Sequence, residues 1–312
     1  MEQNKSALIS RAALFLKRLK KQYILILMCL PALTIVIVFS YFPMYGVQIA
    51  FRDYKTAFGI WGSPWVGLKH VRFFLTNPFA MRTVRNTFLL GIYSFAWGFP
   101  APILLALLFN EIYREKFKKL VQTITYLPYF ISTVVIVGML RNFAMVDGGL
   151  FNDIIMFFGG EPINFFGKPE WFRTLYVSSG IWKGVGWGTI IYLAALSGVS
   201  LELYDAAAID GANRIQRIKN IAIPAIIPTI CILMILNIGG ILGSDFEKVM
   251  LMYNESTYST ADVIATYVYR EGIESARFSY SAAVGLMTSV VSFVFVFCAN
   301  FISRKVSEVS LW

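Results

Sequence analysis

Six long apolar runs, separated by polar segments, dominate the chain, at about residues 23–42, 84–109, 121–140, 174–196, 221–243 and 281–302. Each is close to the roughly 20 residues that an α-helix needs to cross a hydrocarbon core. The pattern predicts an all-α, polytopic membrane protein with six transmembrane helices. The first run is too long for the apolar part of a signal peptide and has no small-residue cleavage site, so it reads as a retained span. It is preceded by an arm, 1–22, in which Leu8, Ala12, Phe15, Leu16 and Leu19 share one helical face among six cations, suited to an anionic membrane surface.

Composition supports the same class. The 312 residues are 57% hydrophobic and only 15% charged, against about a quarter charged in soluble domains. The net charge of +10 is spread over many interhelical segments, which argues for membrane topology rather than nucleic acid. Segments 1–22, 110–120, 196–222 and 303–312 hold 15 Lys and Arg in 70 residues, whereas 44–83, 142–173 and 244–280 hold 10 in 109. By the positive-inside rule both termini and residues 196–222 are cytoplasmic. Residues 44–83 dissent with five cations, and long outer segments obey the rule less strictly. Cys29, Cys231 and Cys298 lie inside apolar runs and read as small core residues. His70 is the only histidine, which argues against a metal site or a His-based triad.

Chemistry-bearing positions are few. The fourth run carries Gly180, Gly184 and Gly188 at four-residue spacing, a ridge that lets another helix approach closely. Beside it are Trp182, Lys183, Trp187 and Tyr192, and the fifth run adds Asn237. These five are the candidate substrate pathway. Lys183 either snorkels to the interface or lines a water-filled cavity, and tight packing would account for the small residues equally well. Residues 244–280 combine tyrosines with Asp245, Glu247, Asn254, Glu255 and Asp262, a mixture that permits sugar contact. No Gly-x4-Gly-Lys-Ser/Thr loop is present, so the chain is not expected to hydrolyse ATP.

One polar segment carries a signature. In residues 205–219, Ala208, Ala212, Ile215 and Ile218 recur at helical spacing opposite Asp210, Arg214 and Arg217, which predicts one short amphipathic helix. Asp205, Ala206 and Ala207, then three residues, Gly211, nine residues and Ile221-Ala222-Ile223-Pro224 resemble the E-A-A-x3-G-x9-I-x-L-P loop of ABC-importer membrane subunits. Asp205 stands for Glu and Ile223 for Leu. Residues 64–87 resemble the segment before the core spans of sugar-type permeases, and 244–286 resemble the LplB-like branch, associated with oligosaccharides and polysaccharide fragments.

The resemblance implies a type I ABC importer transmembrane fold with a cytoplasmic coupling helix at about 205–219, in which Asp205, Ala206, Ala207, Gly211 and Ala212 meet the ATPase. It divides the chain into a basic arm (1–22), a first span with its external loop (23–83), a core permease domain (84–303) and a cytoplasmic tail (304–312). Expected partners are a second related permease, two ABC ATPase subunits, an extracellular or periplasmic sugar-binding protein or lipoprotein, and membrane lipid. Nucleic acid is not expected. No cofactor or metal is expected on this chain, and ATP with Mg would be used by the ATPase. The implied location is a bacterial cell membrane. The competing class is a stand-alone secondary sugar transporter or channel. Such proteins place acidic groups at mid-membrane, and Asp and Glu are nearly absent from the six runs.

Overall fold

A computed structural model describes residues 21–307. Most of the basic arm and the end of the tail lie outside these residues. The chain divides into two compact units, one ending at Gly67 and one beginning at Leu68. In the first, α1 (Tyr23–Val36) runs on through a wider π turn, Ile37–Tyr41, to a 3-10 segment ending at Phe51. Its apolar stretch has no buried residue, as suits a helix that meets lipid or another protein. The following loop is closed by Arg52, which donates to the Ser63 carbonyl at 2.8 Å and lies over the rings of Trp61 and Trp65.

The second unit begins with a short helix, α2 (Lys69–Thr76). Phe74 and Ala80 are fully buried in one core with Tyr267, Tyr280 and Val284, which joins the start of this unit to its end. Asn77 caps the next helix by accepting from the Phe79 N–H, and Pro78 occupies its first position. That helix, α3 (Pro78–Gly98), continues as α4 (Pro100–Asn110) to make one candidate span. After Glu111–Arg114 come α5 (Glu115–Tyr126) and α6 (Thr133–Phe143). The sequence reads 121–140 as one straight span. Here the pair is bent by 101° at Ile131 and Ser132, both extended, with Ser132 capping the second half through the Val135 N–H. The apolar run conceals the bend, which comes from two extended residues and a cap rather than from a polar interruption.

A short helix, α7 (Leu150–Phe157), leads to the central element, α8 (Pro169–Ser197), and then to α9 (Leu201–Ile209), bent from it by 75°. Next come α10 (Arg214–Arg217), a π turn at Ile218–Ala222 and α11 (Ile223–Gly239), together a second continuous span. The next polar segment contains α12 (Phe246–Met252) and α13 (Ile264–Tyr269), and α14 (Phe278–Ser307) closes the fold. Four stretches are long and apolar enough to cross a membrane, or six if each bent pair is one span. Among the described residues there are no strands, only two isolated bridges.

Two cores grip the ends of α8. Phe172, Leu175, Tyr176 and Val177 pack with Val137, Val249 and Met252 at one end. Tyr192 and Leu196 pack with Ala106, Leu107, Ala222 and Ile226 at the other. The glycine ridge between them is split in its use. A side chain at Gly188 would come within 2.8 Å of Pro102, so α4 and α8 meet there closely. At Gly184 the same space is open. Cys29 and Cys298 are exposed on their helices rather than packed in a core, and Cys231 is intermediate, all three as free thiols.

Candidate functional site

Between the two cores lies a cavity of about 700 Å³. That is within the 300–1,000 Å³ usual for small-molecule sites. Its walls come from α3 (Gly91, Ser94, Gly98), α8 (Gly180, Lys183, Gly184) and α11 (Asn237) with Gly240 just after it, and Tyr129 and Thr133 are contributed by the bend between α5 and α6. Asp245 and Lys248 bring in the start of α12. Gly180, Lys183 and Gly184 are at i, i+3 and i+4, so one face of α8 supplies the wall.

This rotation sorts the five pathway candidates. Lys183 and Asn237 are in the wall. Trp187 stands one layer behind it, stacked on Tyr129 with ring centroids 4.5 Å apart and planes within 4°. Trp182 is not among the lining residues and is half-exposed. Tyr192 is not in the wall either. It is 3% exposed, in the core beyond the cavity, because it lies two further helical turns along α8. Sequence reasoning missed Ser94, Tyr129 and Thr133, and it placed Asp245 and Lys248 in a loop whose composition permits sugar contact rather than in the wall of a cavity among the spans. For Asp245 and Lys248 there was a signal, charge placed immediately after the small residues Gly239, Gly240, Gly243 and Ser244 that end an apolar run.

The lysines are held in specific ways. Lys183 Nζ donates to Thr133 Oγ1 at 3.1 Å. Lys248 Nζ donates to the Tyr176 carbonyl at 2.7 Å and lies 4.5 Å from the centre of that ring. Burial pushes the Lys248 ammonium down to about 8, with Asp245 opposing the shift and Lys183 adding to it. Asn237 donates to the Leu233 carbonyl one turn back, leaving its amide oxygen for other partners.

The second candidate site is the polar turn after α9. The sequence predicts one helix over 205–219, whereas the structure has two pieces joined by a left-handed residue. Gly211 has φ +77°. The Ala212 N–H reaches the Ala207 carbonyl at 2.8 Å and the Gly211 N–H reaches that of Ala208 at 3.1 Å. This is a Schellman ending, which satisfies the last carbonyls of α9. Asn213 and Gln216 then form a reciprocal capping box that starts α10. Helical periodicity runs unbroken through the turn, so only the glycine and the box reveal it.

Asp205 and Ala206 on α9 and Gly211 in the turn are exposed, while Ala207 and Ala212 are intermediate. Ile209, 87% exposed, and Ile215, 76% exposed, project from the same loop, leaving apolar side chains on a polar segment. Behind it, Asn110 donates to Tyr204 Oη at 3.2 Å, and Arg217 reaches Tyr113 Oη at 3.1 Å and Glu111 at 3.5 Å. Among the described residues no cluster of three or more His, Cys, Asp or Glu could hold a metal.

A cavity among spans and an exposed turn tied to two of them describe a conduit with a handle. Comparison with known proteins agrees. The chain is 44% identical to the polygalacturonan/rhamnogalacturonan transport system permease protein YteP of Bacillus subtilis (strain 168), over 97% of this chain and 94% of that one. It is also 44% identical to protein LplB of the same organism, over 94% and 92%. A crystal structure of a bacterial ABC transporter involved in the import of the acidic polysaccharide alginate includes a chain that superposes with a TM-score of 0.86 at 40% identity, covering 94% of this chain and 99% of that one. The model of the binding-protein-dependent transport system inner membrane component matches residues 98–308, and the chain belongs to that family.

Proposed function

We propose that this protein is one of two related membrane subunits of an ATP-driven oligosaccharide importer, working with two cytoplasmic ATPase subunits and an external sugar-binding protein. The observation that carries this is the turn at 201–217. A stand-alone transporter has no need of a rigid, capped projection bearing exposed Ile209 and Ile215. As a docking surface for an ATPase the same features have a purpose: small side chains at Ala206, Ala207 and Ala212, a glycine that turns the chain, and Asp205 at the edge.

The connections from the turn supply the mechanics. Through α9 it leads back to α8 and Lys183, and through α10 and the π turn it leads to α11 and Asn237. From residue 217 to residue 237 is roughly 30 Å along a helix. Through Arg217, Glu111 and Tyr113 it also holds the end of α4, whose Pro102 is in the cavity wall. Movement of the turn by ATP-driven closure of the ATPases would displace several walls together as packed bodies, a hinge or shear motion. The permease itself forms no bond with ATP, and ATP and Mg would act on the partner. The named polysaccharides of its relatives support an oligosaccharide as cargo.

Reconstitution with the second permease, the ATPases and the binding protein tests this. ATP-dependent oligosaccharide uptake is expected from the full assembly and none from this chain alone. Uptake by the chain alone, without ATPases, would establish the secondary-transporter alternative. The turn is also expected in the cytoplasm. In a Cys-free background Ile209→Cys should react with an impermeant thiol reagent only from the inner side, and Glu161→Cys and Glu255→Cys only from outside.

A further inference from the structure

The charges in the cavity wall reach further than family membership does. The charged residues there are Lys183, Lys248 and Asp245. Asp245 is already engaged, since its Oδ1 accepts the Lys248 backbone N–H at 3.0 Å and caps α12. Neither lysine is in an ion pair among the described residues. Each ammonium has three N–H donors. Thr133 takes one from Lys183, and the Tyr176 carbonyl takes one from Lys248.

Lys248 is 7% exposed. Asp245 offsets part of that charge, but among the described residues no carboxylate lies within ion-pair distance of either ammonium, and a buried cation so placed is costly until an anion arrives to complete it. Hydroxyls of a neutral sugar need no such charge, because amides, hydroxyls and aromatic faces satisfy them more cheaply. Carboxylates are different, since a hydrogen bond between two ionised groups is roughly twice as strong as a neutral one. The helix beside the lysines is also cleared. A Cβ at Gly180 would lie 3.2 Å from Lys248 Nζ, and one at Gly184 would meet nothing within 4 Å. Glycine at 180 leaves room for the Lys248 ammonium, and glycine at 184 keeps the adjoining wall open.

We propose that Lys183 and Lys248 form a carboxylate-reading pair and that the cavity takes oligosaccharides bearing uronate groups. This rests on the importer reading above and deepens it by naming the chemistry of the cargo. The pair selects acid over neutral chains at the membrane step, independently of any selection by the binding protein.

The test uses the complete importer in lipid nanodiscs without binding protein. Equilibrium binding is measured for fluorescent tetragalacturonate and for the same tetrasaccharide with its carboxyls reduced to alcohols. The intact protein should prefer the acid at least tenfold. Lys183→Met and Lys248→Met should each cut that preference several-fold, and the double variant should abolish it, whereas Lys183→Arg with Lys248→Arg should keep most of it. Co-purification of the partner subunits reports assembly. If Lys248→Met fails to assemble, Lys183→Met, at the less buried position, decides the matter. Equal binding of both probes by the intact protein, or a preference that survives loss of the lysines, would overturn the proposal.

Uptake into ATP-loaded vesicles with the binding protein separates the two levels. Transport of neutral oligosaccharides with no preference for acid would remove the lysine pair and leave the importer reading. Absence of ATP-dependent uptake for either probe would remove the importer reading and this inference with it.

Discussion

Two polar segments flank α11, and they hold their shapes by opposite means. The turn at 201–217 is built from bonds between near neighbours, with the Schellman ending, the Asn213–Gln216 box and the Ser200 cap all within five residues in sequence. Its side chains face outward, and α9 buries none of its residues. The segment at 244–277 is held by bonds from distant parts of the chain. Asn86 donates to the carbonyls of Ser259 and Asp262, the Ile264 N–H reaches Thr87, Thr260 reaches Pro169, and Asn254 reaches Phe166. At its centre Asp262, 1% exposed, accepts from Arg270 at 2.8 Å and Thr266 at 2.9 Å, with Arg82 at 3.9 Å. The difference is instructive. The exposed turn takes its form mostly from its own near neighbours, as the proposed docking surface would require, whereas a segment that fastens spans together is defined by what it fastens.

The largest expected effect follows from breaking the fastened side. Asp262→Ala removes the one carboxylate shared by Arg270, Arg82 and Thr266. Breaking a buried pair costs about 3 kcal/mol or more, and here the arginines are partly exposed, so the lower end applies. Although burial pulls Arg270 down, the Asp262 hydrogen bond and charge hold it above its ordinary value, which shows the direction of the coupling. Thermal inactivation of the purified complex should occur at a clearly lower temperature, with loss of assembled protein. An unchanged midpoint would mean that the segment is fastened by its backbone bonds alone.

Gly211→Asp probes the other side and should dissociate function from fold. A non-glycine residue at φ +77° costs about 1 kcal/mol, and Asp is among the better tolerated. A Cβ there meets nothing within 4 Å in this chain, so the permease should still insert and pair. Uptake should fall at least tenfold, with the ATPase bound weakly or uncoupled, because bulk and an anion enter the proposed contact. Gly211→Asn separates conformation from charge and should be the milder of the two. Full co-purification of the ATPase together with full uptake in Gly211→Asp would remove the contact from this turn.

The same contrast explains how much could be read from the chain itself. Span positions and the signature were legible because apolar length and short-range spacing are written in consecutive residues. The break at Ile131 and Ser132 and the two-piece turn at Gly211 were hidden because the apolar and helical periodicities pass through both. In the cavity, Lys183 and Asn237 were found by chemistry, but Tyr192 was placed there when it belongs to a core, since a single sequence does not fix helix rotation. Lys248 was read only as part of a charged loop. Its importance arises only when α12 folds back beside Tyr176, 72 residues earlier in the chain.

The smallest effect sharpens the comparison most, since it concerns the end of α4, where the turn is tied to the spans. Sequence periodicity sets Arg217 on the polar face, where loss should be mild. The structure joins it to Tyr113 and Glu111 beyond α4, while Arg214 lies over the Tyr113 ring at 5.8 Å. If those contacts only decorate a surface, their removal should be nearly silent, as for most exposed ion pairs. If they pass motion to α4, Arg217→Ala should leave ATPase binding intact and lower the sugar moved per ATP hydrolysed by a few-fold. Arg217→Lys keeps the charge but not the planar fork, so it should recover only part of the ratio. Tyr113→Phe, which deletes one hydroxyl, should fall between Arg217→Lys and the intact protein. The measurement is uptake and hydrolysis in the same proteoliposomes. An unchanged ratio in Arg217→Ala would show that the turn acts on the cavity through α8 and α11 alone.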